Sequence, residues 1–89
     1  MPTVMDLSQN YPNPFNPSTT ISFTLPESGN VSLKIFNPLG EEVAELVNGF
    51  IESGVHSYNF NAANFPSGIY IYQLKANGLS FSKKMLLMK

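Results

Sequence analysis

The chain has no cysteine and no tryptophan, a single histidine, a single aspartate and little charge of either sign. Without cysteine, disulfides and thiolate metal sites are excluded. That suits a reducing cytosol and equally suits bacterial export. Charged residues are 12% of the 89, about half the share usual in a soluble domain. Solubility therefore rests on the plentiful Asn, Ser and Thr side chains. The net charge of −1 leaves no electrostatic footprint for nucleic acid. No run approaches the ~20 apolar residues that span a bilayer. Residues Met1–Asp6 lack a basic region ahead of an apolar stretch, so they are not a secretory signal. Met1 reads as a start placed on a fragment of a longer protein. Residues 1–6 are expected to be a linker remnant and residues 7–89 the domain.

The same scarcity removes most chemistry. His56 is the one histidine, and its nearest acidic neighbour in sequence is Glu52, too little for a metal site. A Ser-His-Asp triad would need Asp6, in the lead-in, and there is no Gly-x-Ser-x-Gly. Glu41 and Glu42 are adjacent, so in a strand they diverge and do not form a glycosidase pair. No glycine loop cradles phosphate. Asn30-Val31-Ser32 matches a glycosylation sequon, and the tripeptide alone carries little weight. No catalytic, metal-binding or cofactor-binding residue is expected, and no cofactor.

What the chain does have is frequent turn chemistry. Pro26-Glu27-Ser28-Gly29-Asn30, Asn37-Pro38-Leu39-Gly40, Ser53-Gly54 and Pro66-Ser67-Gly68 break it into short pieces. Asn48-Gly49 and Asn77-Gly78 read as two-residue hairpin turns, because both residue types tolerate positive φ. Between the breaks, Ile21, Phe23 and Leu25 alternate with Ser22 and Thr24, and Val31, Leu33 and Ile35 with Ser32 and Lys34. Tyr58 and Phe60 repeat the pattern, and Ile69–Leu74 begins apolar on both faces, like a central strand. Residues 79–88 form a last strand. The Val43, Leu46, Val47 spacing also suits a short helix, but the flanking Gly40 and Asn48-Gly49 favour a strand. About six strands at roughly 8–12-residue spacing, with the N-terminal stretch as a seventh at an edge, predict a sandwich or barrel. The expected core is Phe23, Leu33, Ile35, Tyr58, Phe60, Tyr70, Tyr72 and Leu74.

Three segments together carry a resemblance. They are Leu7–Ile21, containing Tyr11-Pro12-Asn13-Pro14-Phe15-Asn16-Pro17; Pro66–Leu74, containing Gly68 and Tyr70; and the terminal Lys83-Lys84-Met85-Leu86-Leu87-Met88-Lys89. In this order they resemble the type A C-terminal sorting domains of the type IX secretion system of Bacteroidetes. The likeness covers about residues 7–89, with Asn37-Pro38 standing where an acidic residue and Leu are commoner. It implies a small immunoglobulin-like β-sandwich of six to seven antiparallel strands. It also implies a secretion signal that directs a larger upstream cargo, through the periplasm, across the outer membrane to the cell surface or medium. The implied partners are the outer-membrane translocon and a cargo-processing sortase that cuts just upstream of Leu7. The chain end, Lys83 to Lys89, would carry the essential part of the signal.

The residues themselves add two open choices. Prolines 12, 14 and 17 remove donors and fix φ, so their segment is neither helix nor central strand and should be stiff and extended. Its Tyr and Phe either cap the sandwich, are read by the export machinery, or both. The last strand either completes the core or lies near an edge, read by strand addition or through its lysines. Lys83 and Lys84 point to opposite faces in either case. A rival function is a carbohydrate-binding module of a secreted enzyme using an exposed row of Tyr11, Phe15, Phe50, Phe65, Tyr70 and Tyr72, a row that loses its centre if Tyr70 and Tyr72 are both buried; a third is a passive structural spacer or a self-associating edge-strand domain.

Overall fold

A computed structural model describes residues 5–88. The seven strands are β1 (Asp6–Leu7), β2 (Ser18–Leu25), β3 (Gly29–Phe36), β4 (Glu42–Ile51), β5 (Gly54–Asn61), β6 (Gly68–Ala76) and β7 (Leu79–Leu87). They form a three-stranded sheet, β1-β2-β5, facing a four-stranded sheet, β4-β3-β6-β7, with every pair antiparallel. Lettered in chain order as A, B, C, C′, E, F and G, the sheets read A-B-E and C′-C-F-G, an immunoglobulin-like sandwich.

The alternation dictates the core. Thr19, Ile21, Phe23 and Leu25 of β2 turn inward against Val31, Leu33 and Ile35 of β3 and Tyr70, Tyr72, Leu74 and Ala76 of β6. Met85 and Leu87 close the side formed by β7. Each large apolar side chain among them contributes about 1.5–3 kcal/mol through burial. Of the expected core residues only Tyr58 is not fully buried. It lies on β5, at the edge of the smaller sheet, and stacks on Phe23 at 5.9 Å.

Residues 42–47 are strand. Two register shifts between β3 and β4 leave Leu46 and Val43 as extra residues on β4, since Leu33 pairs Val47, Lys34 pairs Glu45, Ile35 pairs Ala44 and Phe36 pairs Glu42. Those bulges break the two-residue period and produce the helix-like apolar spacing.

The two Asn-Gly dipeptides differ. Asn77-Gly78 is the β6–β7 hairpin, with φ of 52° and 78°, both in the left-handed region. Asn48-Gly49, expected to be a second hairpin, lies inside β4, where Asn48 pairs Ser32 and Gly49 pairs Val31. The chain cannot reverse there because β4 pairs β3 continuously on both sides of the dipeptide. The reversal comes at Glu52-Ser53 and carries the chain to the other sheet. At Asn37-Pro38, the Asn37 Oδ1 accepts from the N–H of Leu39 and of Glu41, both at 3.0 Å, an Asx turn of the kind an aspartate would also make.

Candidate recognition site

β7 is an edge strand of the larger sheet. An edge exposes unpaired N–H and C=O groups, which invite pairing with another chain. In β7 the even-numbered residues turn these groups away from β6. From Lys84 onward most of them are occupied by the chain's own lead-in. The N–H of Phe15 donates to the Leu86 carbonyl at 2.9 Å, and the N–H of Met88 donates to the Phe15 carbonyl at 3.0 Å. The Asn13 Oδ1 accepts from the Leu86 N–H at 3.0 Å, and Gln9 Nε2 donates to the Lys84 carbonyl at 2.9 Å. Phe15 and Leu87 thus form a parallel bridge between the two motifs.

A buried polar network sets the shape of the lead-in. Asn10 and Thr19 are the only buried polar residues among those described. Asn10 Nδ2 donates to Thr19 Oγ1 at 3.0 Å and to the Pro12 carbonyl at 3.2 Å, and Thr19 Oγ1 donates to that carbonyl at 2.9 Å. Tyr72 holds the segment from below: its hydroxyl donates to the Ser8 carbonyl at 2.7 Å and accepts from the Asn10 N–H at 2.9 Å. Burial pushes the Tyr72 phenol above its ordinary 10.0, with the Asn10 N–H pulling the other way. Because these groups satisfy one another, the proline segment runs as bends between the Tyr11–Thr20 and Phe15–Leu87 bridges, not as the extended lead-in expected.

The predicted site residues converge unevenly. Pro12, Asn13 and Phe15 lie in the clamp, and Pro17 accepts from the Ala62 N–H at 2.8 Å through its carbonyl. Gly68 pairs Leu87 and Tyr70 pairs Met85, so the middle motif lines the inner side of the same strand. Phe15, Phe60, Phe65 and Tyr70 follow one another at centroid distances of 6.3, 5.8 and 6.2 Å. Tyr11, Pro14 and Asn16 stay exposed, and Tyr11, at 81% exposure, caps nothing. Lys83 sits half-buried on the side of Met85 and Leu87, while Lys84 is exposed on the outer face. Lys89 lies outside the described residues, as do residues 1–4 of the predicted linker.

Sequence reasoning missed Gln9, Asn10, Thr19 and Tyr72 as the parts that lock the site. The one signal was Thr19, a polar residue in phase with Ile21, Phe23 and Leu25, where a hydroxyl must find a buried partner.

A His56 ring nitrogen meets the Glu52 carbonyl at 2.7 Å and the ring packs on Phe23 at 5.5 Å. Among the described residues no three His, Cys, Asp or Glu converge as metal ligands. The aromatic row of the carbohydrate reading loses its centre, since Tyr70 is 3% exposed, Tyr72 0% and Phe15 1%.

Fold and clamp together define an immunoglobulin-like module whose two terminal motifs are one folded unit. Residues 9–88 match the family described as the secretion system C-terminal sorting domain, and the chain belongs to that family. It is a type IX sorting signal that directs the cargo to which it is joined. Comparison with curated proteins finds no match.

Proposed function

We propose that this domain is an address read in its folded state and has no catalytic activity of its own. The clamp carries this reading. The chain end that begins at Lys83 is fastened through Leu86 and Met88 to the Asn13–Phe15 motif, so the two motifs present one surface only when the chain is folded. The reader is the type IX outer-membrane translocon, met after passage through the periplasm. The cargo-processing sortase then cuts in the linker upstream of Leu7 and releases the domain. Met5, 5% exposed in the core, and Asp6, paired with Thr24, are the docked end of that linker.

The test is export of a folded reporter that carries a signal peptide and ends in the whole 89-residue chain, expressed in a type IX-competent bacterium. The reporter should reach the surface or medium, and the same reporter without the chain should stay in the periplasm. Periplasmic retention of both, with the domain folded, would overturn the reading.

A further inference from the structure

Strand addition and side-chain reading are both open to a terminal strand, and the structure separates them. The outward main-chain groups of Leu86, the Lys84 carbonyl and the Met88 N–H are already bonded to Phe15, Asn13 and Gln9. Over this stretch a partner strand has no free ladder to join. What the strand leaves accessible is its outer face.

That face is unusually apolar at one end. Outward residues of neighbouring strands pair as Phe36 with Ile71, Ile69 with Leu86, and Ile71 with Lys84. Ile69 is 49% exposed and Met88 55%, and Phe36, Ile71 and Leu86 are half-buried beside them. A hollow of about 190 Å³ opens here, lined by Asn13, Ile69, Lys84, Met85 and Leu86. A soluble domain pays for leaving such a contiguous patch in water, and patches of this kind mark contact surfaces.

Charge on the face is divided. On the β3–β4 half, Lys34 lies between Glu42 at 3.3 Å and Glu45 at 3.8 Å. On the β6–β7 half, Lys75 and Lys84 are exposed and have no ion-pair partner among the described residues. The apolar patch is therefore edged on the β7 side by one unpaired cation, Lys84, which sits opposite Ile71.

We infer that the outer face at Phe36, Ile69, Ile71, Leu86 and Met88, edged by Lys84, is the docking surface for the export receptor. The inference rests on the sorting reading above. The occupant is a protein surface bearing an apolar ridge flanked by carboxylate, which would pair with Lys84. A second copy of this chain fits less well, because the carboxylates it could bring to Lys84, Glu42 and Glu45, are already held by Lys34. Apolar contact supplies the affinity and the charge sets the register and suppresses wrong partners.

The whole-chain reporter fusion tests it. Ile69→Thr with Ile71→Thr keeps β-branched side chains on the strand while making the patch polar. Lys84→Glu reverses the border charge at an exposed position, and Asn59→Glu places the same charge on the outer face of the other sheet. Each patch variant should lower export at least about tenfold, which corresponds to about 1.4 kcal/mol of lost contact. Asn59→Glu should be exported like the parent. Thermal unfolding of each variant domain identifies those that keep the fold, and exposed Lys84→Glu decides the matter if the double variant does not. Export of folded patch variants at the parent level overturns the inference while leaving the sorting reading intact. Retention of the unsubstituted fusion removes the sorting reading instead. The mass of the free chain in solution should stay monomeric with concentration; a dimer abolished by Ile69→Thr would assign the patch to a second copy and overturn the inference.

Discussion

Phe15 lies parallel to Leu87, tied by its N–H to the Leu86 carbonyl and by its carbonyl to the Met88 N–H. Seventy-one residues of chain separate the two, yet they share one hydrogen-bonded edge, so neither terminal motif has its structure without the other. A truncation meant to remove the signal at the chain end therefore removes more. Loss of residues 83–89 strips Met85 and Leu87 from the core, at about 1.5–3 kcal/mol each, from a total stability of about 5–15 kcal/mol. The truncated domain should unfold at a markedly lower temperature and its lead-in should be cut early by protease. A truncated domain with the parent's melting temperature would show that the clamp contributes little.

Within the lead-in, the two aromatics should respond in opposite ways. Phe15 is fully buried against Phe60 and the core, whereas Tyr11 projects into solvent. Phe15→Ala should cost about 3–5 kcal/mol in denaturant unfolding. Tyr11→Ala should stay within about 0.5 kcal/mol of the parent. Equal effects would contradict the docking of Phe15.

Tyr72 gives the fold an alkaline limit. Its neutral hydroxyl donates to the Ser8 carbonyl, and burial raises its pKa above 10.0. A group whose folded pKa is raised stabilises the fold fully below its unfolded pKa. That contribution is lost as pH climbs from about 10 through the folded value. Tyr72→Phe should therefore cost about 1–3 kcal/mol at neutral pH, from the Ser8 and Asn10 groups left without their partner. Its deficit relative to the parent should shrink above pH about 10. A deficit constant across an alkaline unfolding series would assign the alkaline loss to another group.

How much of this was legible follows from what each pattern encodes. Strict alternation at Ile21–Leu25 and Val31–Ile35 revealed strands and their inward faces, because burial of one face has a two-residue period. At β4 the bulges at Leu46 and Val43 scrambled that period, and the strand resembled a helical turn until its partner was known. The clamp was hidden for a different reason. Composition shows that Pro12, Pro14 and Pro17 cannot join a central strand, but the acceptor of the Phe15 N–H is 71 positions away, at Leu86. The motifs at the two ends were visible separately, and only the topology brings them to one edge.

The two Asn-Gly dipeptides offer the sharpest contrast between sequence and surroundings. Asn77 and Gly78 hold φ of 52° and 78°, the left-handed values of a two-residue hairpin, and Asn77 Nδ2 also reaches the Glu27 carbonyl at 3.3 Å. A β-branched residue at such a φ is a steric outlier. Asn77→Thr should therefore destabilise by at least about 1–2 kcal/mol, the cost of forcing Cβ against the neighbouring carbonyl. Asn48 has no such constraint: it sits exposed in β4 opposite Ser32. Asn48→Thr should be neutral or stabilising by up to about 1 kcal/mol, since strands favour β-branched side chains. Unfolding of the two variants side by side checks both. If Asn48→Thr proved as damaging as Asn77→Thr, β4 would have to end at residue 48, and the pairing of Gly49 with Val31 would be wrong.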